Sequence, residues 1–218
     1  MIPIGDDDSS SRIFPLVTYA LIAINVLVFM VELSSGYDFI TRWAFVPSRF
    51  TADPVSDLST LFSSMFMHAG LLHLGGNMLY LWIFGNNVED RFGHASFIVF
   101  YLLSGVAATF TQLAFSLESD VPNLGASGAI AGVLGAYLLM FPRRWVTVLL
   151  GRFLTKMPAV VVLGFWFILQ FFSGIGSIAE SSDTGGVAYM AHIGGFVAGF
   201  VLALVLRGSS ASRSQEFT

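Results

Sequence analysis

Six apolar runs govern what this 218-residue chain can become: Phe14–Leu33, Leu71–Val88, Ala95–Phe115, Ser127–Phe141, Met157–Phe172 and Val187–Leu206. Each approaches the roughly 20 residues that a membrane-spanning helix needs, the fourth and fifth being shorter. Only 11% of the residues are charged, against about 25% in a soluble domain. The expected fold is an all-α polytopic membrane protein, a six-transmembrane-helix bundle. Residues 14–207 form its one domain. A short acidic N-terminus (1–13) and a short Ser-rich tail (208–218) flank it, with no internal repeat and no second domain. Met1 to Ser11 is acidic rather than basic, so the first run is expected to stay in the membrane as an anchor rather than be cleaved.

Orientation follows from the basic residues. With the amino terminus inside, Arg12, Arg91, Arg143, Arg144, Arg152, Lys156, Arg207 and Arg213 are all inside, and only Arg42 and Arg49 are outside. Such a positive-inside bias places both termini in the cytoplasm. The net charge of -4 and the lack of a basic tract exclude nucleic acid as a partner. The absence of cysteine excludes disulfides and thiolate chemistry. The four histidines form no spaced cluster, so no metal and no organic cofactor is expected.

Polar side chains inside the runs need a reason. Ser127 lies 16 residues ahead of Arg143, His192 15 ahead of Arg207, Asn77 14 and His73 18 ahead of Arg91. At 1.5 Å per residue these four groups stand about 21–27 Å above the inner boundary. They come from three spans that run in the same direction, so they share one level beneath the outer surface. Interhelical hydrogen bonding is the bland alternative.

Their types fit acyl transfer. A serine hydroxyl needs a base to become a nucleophile, and a histidine can take its proton and later protonate the leaving amine. No acid lies at that depth to orient the ring, which points to a Ser127–His192 dyad rather than a triad. His73 and Asn77, one turn apart, can supply donors to a tetrahedral oxyanion, together with the Ser127 backbone N–H. Gly125 and Gly128 flank the serine and permit a sharp turn and a close backbone. Gly128, Gly132 and Gly135 share a face of the fourth span, and Gly195 with Gly199 repeats the small-xxx-small pattern on the sixth.

Three stretches, His68-Ala69-Gly70-Leu71-Leu72-His73-Leu74-Gly75-Gly76-Asn77, Gly125-Ala126-Ser127-Gly128 and Ala191-His192-Ile193-Gly194-Gly195, resemble the motifs of the rhomboid intramembrane serine proteases. Their order and placement on the second, fourth and sixth spans fit as well. The resemblance covers the chain from the first span to Arg207 and implies the simple six-helix bacterial form. It implies Ser127 as nucleophile, His192 as general base, and His73 with Asn77 as oxyanion side chains. His68 would support the loop by hydrogen bonding. Glu89 and Arg91 look like the family's Glu-x-Arg pair and read as structural ties at the inner boundary. The aromatic-rich connection Ser34 to Gly70 would be the half-submerged first loop, although from its composition alone it reads equally well as an ordinary surface loop. Ser173 to Gly186 would cap the site. Ala131 departs from the pattern: some members carry there an aromatic ring stacked on the histidine, so what holds His192 is left open. Arg42-Trp43 matches only loosely, and His94 receives no role.

The resemblance implies single-pass or polytopic membrane proteins as substrates. The expected location is the bacterial cytoplasmic membrane, with the site opening to the extracytoplasmic side. A spanning helix must unwind before it can be cut. Cleavage is therefore expected near the outer end of a substrate span, after a small residue and near Gly or Pro, with lateral access beside Phe165-Trp166-Phe167. A non-catalytic scaffold would have lost Ser127 or His192. A transporter would carry acids within its spans, and only Glu32 lies in one, near its end.

Overall fold

Hydrocarbon offers no water to satisfy backbone N–H and C=O groups, so apolar runs there close their hydrogen bonds internally as helices. The computed structural model of the chain describes residues 1–7, 9, 12–180 and 187–213. A strand, β1 (Ile2–Asp6), precedes a long helix, α1 (Leu16–Ser35). Four short helices follow, α2 (Tyr37–Trp43), α3 (Pro47–Ala52), α4 (Pro54–Asp57) and α5 (Thr60–Ser63), and then a 3₁₀ turn at Ser64–Phe66. Helix α6 (Leu71–Tyr80) continues through a π-helical turn (Leu81–Gly85) into α7 (Asn86–Phe92). Then come α8 (His94–Ala114), a shorter α9 (Ser127–Met140), the strands β2 (Trp145–Leu150) and β3 (Phe153–Pro158), and the long helices α10 (Ala159–Glu180) and α11 (Tyr189–Arg213). Among the described residues four helices, α1, α8, α10 and α11, are long and apolar enough to cross a membrane.

Helices α1, α8 and α9 follow their apolar runs to within two residues at each end. The fold nevertheless corrects the all-α expectation. β1, β2 and β3 form a three-stranded antiparallel sheet, with β2 in the centre. Residues 145–158 turn back as a hairpin across Gly151-Arg152, where Gly151 has a φ of +62°, the left-handed conformation that a two-residue hairpin loop demands. Residues 1–7, expected as part of a plain terminal segment, instead place β1 in this sheet. Asp6 at its end accepts hydrogen bonds from the Tyr137 hydroxyl (2.5 Å) and from Asn87 Nδ2 (2.9 Å). The expected cap, Ser173 to Gly186, is corrected in its first part: Ser173 to Glu180 extend α10, and residues 181–186 lie outside the described residues. The expected tail also begins later, because α11 runs on to Arg213, with residues 214–218 outside the described ones.

Helix α9 is the centre of the bundle. Every residue from Gly128 to Tyr137 is buried, so it has no lipid-facing side. Lipid tails are as apolar as these side chains, so packing rather than the hydrophobic effect holds α9 in place. The connection between α1 and α6 is mostly short helices. Phe45, Phe50 and Leu61 bury themselves with Leu113 of α8, while Tyr37, Leu58 and Phe62 stay exposed. Arg49 ties this segment internally through Asp57 Oδ1 at 2.7 Å and the carbonyls of Thr41 and Ala44.

Candidate active site

Helix α9 has 14 residues and is about 21 Å long, against a hydrocarbon core of about 30 Å. Helix α9 is therefore shorter than such a core is thick. Ser127 is its first residue. The chain reaches it through an irregular stretch whose backbone is satisfied by protein, as non-helical backbone at depth requires. Asn123 and Phe45 exchange N–H···O bonds of 2.7 and 3.1 Å, and Gly125 N–H donates to the Ser64 carbonyl at 2.9 Å. Gly125 adopts a φ of +133°, which side-chain-bearing residues rarely reach. A Cβ there would also stand 2.9 Å from His73 Cε1 and 3.0 Å from His73 Nε2.

Glycine contacts bring α11 against α9. A Cβ on Gly195 would fall 2.0 Å from the Gly128 carbonyl oxygen, one on Gly199 2.1 Å from that of Gly132, and one on Gly135 2.2 Å from that of Phe196. The two backbones touch with no side chains between them, the geometry that small-xxx-small patterns permit. Gly128 and Gly132 also press on Ala108 and Ser104 of α8, where added Cβ atoms would stand 2.6 and 2.4 Å from the Cβ atoms there.

This contact puts His192, in the first turn of α11, beside Ser127. His192 Nε2 and Ser127 Oγ are 2.8 Å apart. The other ring nitrogen, Nδ1, is 2.7 Å from Gln170 Oε1 on α10. Trp166, one turn earlier on α10, lays its indole alongside the imidazole, with centroids 5.9 Å apart and planes 34° apart. Ala131 is buried in α9 and brings no ring. Trp166 and Phe167 both turn inward onto Phe196, whereas Phe165 is exposed.

On the other side of Ser127, His73 presents its Cε1–Nε2 edge towards Gly125. Its ring meets His68 edge-on, 5.1 Å between centroids. Asn77 Nδ2 donates to His68 Nε2 at 2.9 Å, so one of the two Asn77 amide hydrogens is engaged and the other is left. The His68 backbone N–H donates to the buried Glu32 carboxylate at 3.1 Å. Burial, and then the neighbouring His73 ring, push His68 down to about 4, which keeps it neutral and able to accept from Asn77. A cavity of about 40 Å³ opens beside Ser127, lined among others by Ser64, Gly105, Ala108, Thr109 and Gly128. It is large enough for a water molecule or two.

At the opposite end of the bundle Glu89 is fully buried. Its carboxylate accepts from Val17 N–H (2.8 Å), Thr18 N–H (2.7 Å) and the Thr18 hydroxyl (2.6 Å), and also meets His94 Nδ1 at 2.6 Å. It thus satisfies first-turn donors of α1, which have no partner within the helix. Asp90 accepts from the N–H groups of Arg12 and Ile13, in the segment that leads into α1. Arg91 stands over the Phe141 ring at 5.7 Å. Gln170, Trp166 and Glu32 were not singled out as site residues from the sequence. A lone amide in the run Phe167-Ile168-Leu169-Gln170 was the available signal, since polar groups within spans are costly.

The Rhomboid domain profile matches residues 55–209 of the chain. The chain is similar to the Rhomboid protease GluP of Bacillus subtilis (strain 168), 30% identical over 88% of this chain and 35% of that protein. It is similar to Rhomboid protein 1, mitochondrial, of Saccharomyces cerevisiae, 30% identical over 83% of this chain and 50% of that one. It is also similar to RHOMBOID-like protein 2 of Arabidopsis thaliana, 36% identical over 67% of this chain and 41% of that one. The chain thus spans about a third to a half of the length of these curated relatives.

Proposed function

Because the chain belongs to the rhomboid family, we propose that this integral membrane protein is an intramembrane serine endopeptidase. It hydrolyses peptide bonds in or near the transmembrane segments of other membrane proteins. The observation that carries this reading is the 2.8 Å approach of Ser127 Oγ to His192 Nε2 at the sunken end of α9.

Each step has a residue to perform it. As Ser127 Oγ attacks the substrate carbonyl carbon, its proton passes to His192 Nε2. The carbonyl oxygen becomes an oxyanion. The Ser127 backbone N–H at the start of α9, His73 Nε2–H and the remaining Asn77 amide hydrogen are the donors offered to it. His192 Nε2–H then protonates the departing amine as the C–N bond breaks. Water, activated by the same imidazole, releases the acyl group and restores Ser127. His68 and Glu32 hold Asn77 and the loop before α6 in place. Glu89 and Arg91 hold helix ends at the inner boundary, and Gly125, Gly128, Gly195 and Gly199 allow the approach that the dyad needs.

The small cavity beside Ser127 favours a small side chain next to the scissile bond. The unbroken helical run from Leu71 to Phe92 and the short α9 supply two further crossings beside the four long helices. With the positive-inside bias, this supports six spans, both termini on the inner side, and a site opening to the far side; the location we propose is a bacterial cytoplasmic membrane. The test is cleavage of a single-span substrate in detergent or proteoliposomes. Ser127→Ala and His192→Ala should each lose at least about 10³-fold in kcat. Wild-type rates in both variants would overturn the assignment.

A further inference from the structure

The dyad's histidine has a second partner that a two-residue scheme leaves unexplained. A neutral imidazole carries its proton on either Nδ1 or Nε2, and only the Nδ1–H form leaves an Nε2 lone pair for the Ser127 proton. Gln170 Oε1 stands 2.7 Å from His192 Nδ1, and an amide oxygen can only accept. It therefore holds the proton on Nδ1 and points Nε2 at Ser127 Oγ. One turn earlier, Trp166 lies against the face of the same ring, so two side chains spaced i and i+4 on α10 fix both its rotation and its tautomer. Ala131 offers neither a ring nor a polar atom from α9.

Charge also favours an amide here. A carboxylate in this position would add an ionised group to a site within the bilayer, where such groups are costly. An amide oxygen orients the ring and stabilises the imidazolium by its dipole without that cost. Among the described residues, the other titratable groups around the pocket are His73 from α6 and Tyr189 of α11, the latter with its ring 6.5 Å from that of His192.

We propose that Gln170 is a positioning residue for the reaction, the neutral third member of a Ser127–His192–Gln170 relay, supplied by α10 and not by α9. In each cycle the Nδ1 proton stays in place. The proton from Ser127 enters at Nε2 and leaves from Nε2 to the amine, so no net charge passes to Gln170. The inference rests on the reading of Ser127 and His192 as nucleophile and base.

The experiment measures kcat, KM and the rate of fluorophosphonate labelling across pH for wild type, Gln170→Leu, Gln170→Glu and Ser127→Ala, with melting temperatures recorded in the same detergent. Gln170→Leu should lower kcat and the labelling rate by about 10–100-fold, with KM nearly unchanged. Gln170→Glu keeps an acceptor at the same place and should recover most of both. It should also move the acid limb of the pH profile upward, because a carboxylate stabilises the imidazolium. Wild-type kcat and labelling in Gln170→Leu would overturn the proposal. So would a Gln170→Glu variant that melts normally yet is as impaired as Gln170→Leu, because an acceptor oxygen held at that place would then do nothing for His192. If Ser127→Ala itself cleaves at the wild-type rate, the underlying dyad fails. If it is dead while Gln170→Leu is fully active, only the relay fails.

Discussion

Gly195 and Gly128 meet backbone to backbone: a Cβ on Gly195 would lie 2.0 Å from the Gly128 carbonyl oxygen. Three residues before Gly195 stands His192, and immediately before Gly128 stands Ser127. The separation of α9 and α11 therefore sets the separation of hydroxyl and imidazole. Because the obstructing atom is backbone, it cannot swing aside as a flexible side chain can. Gly195→Ala should destabilise by about 1–3 kcal/mol, read as a lower melting temperature in detergent. It should also lower cleavage more steeply than the folded fraction, because the dyad is pushed apart. Normal activity with normal melting would show that the close approach is dispensable.

Glu89 should matter for stability and little for chemistry. Its carboxylate is the partner of Val17 N–H, Thr18 N–H and the Thr18 hydroxyl at the start of α1. Glu89→Ala strands buried donors, at about 1–3 kcal/mol. Glu89→Gln, which keeps one acceptor oxygen, should lie between this variant and wild type. Thermal unfolding with a parallel cleavage assay checks this, with activity per folded molecule close to wild type.

Acid should loosen the loop before α6. Burial, chiefly, holds His68 down to about 4 in the folded protein, against an ordinary 6.5. Between those values the unfolded chain binds the proton and the folded one does not. The stabilisation from a neutral His68 is thus complete above about pH 6.5 and falls away as pH drops towards 4. Melting temperature should decline over that window. His68→Gln should melt lower at neutral pH but show a shallower decline.

Substrate choice should reflect the cavity of about 40 Å³ beside Ser127. A substrate with Ala immediately before the scissile bond should be cut roughly 10- to 100-fold faster, by kcat/KM, than one with Phe there, since an oversized group must displace packed neighbours. Paired substrates differing at that residue alone provide the measurement.

Several features were legible in the sequence because one physical term dominates them. Hydropathy marked the ends of α1, α8 and α9, since backbone in hydrocarbon has no alternative to the helix. Counting residues from Arg143 and Arg207 paired Ser127 with His192, which the structure brings to 2.8 Å, and glycine spacing marked the faces where α9 and α11 meet. The sheet was not legible. Ile2–Asp6 is five residues long and finds its partner more than 130 residues away. The hairpin's Val146 and Val148, although buried, sit between Arg143-Arg144 and Lys156, which read as loop charges. Leu150-Gly151-Arg152-Phe153, with glycine in the first loop position, was the local hint of a turn. Gln170 was not legible as the partner of His192, because a neutral amide carries no charge to mark it among the apolar residues of α10. That Asn77 is held by His68 depends on a ring nine residues away, which helix periodicity alone does not reveal.

The most direct test of the central claim is labelling by a fluorophosphonate, with the adduct mapped by mass spectrometry in wild type and in His192→Ala. The account predicts a single adduct on Ser127, formed at least about 100-fold more slowly once the imidazole is removed. An adduct on another residue, or an unchanged rate at Ser127 in His192→Ala, would contradict it.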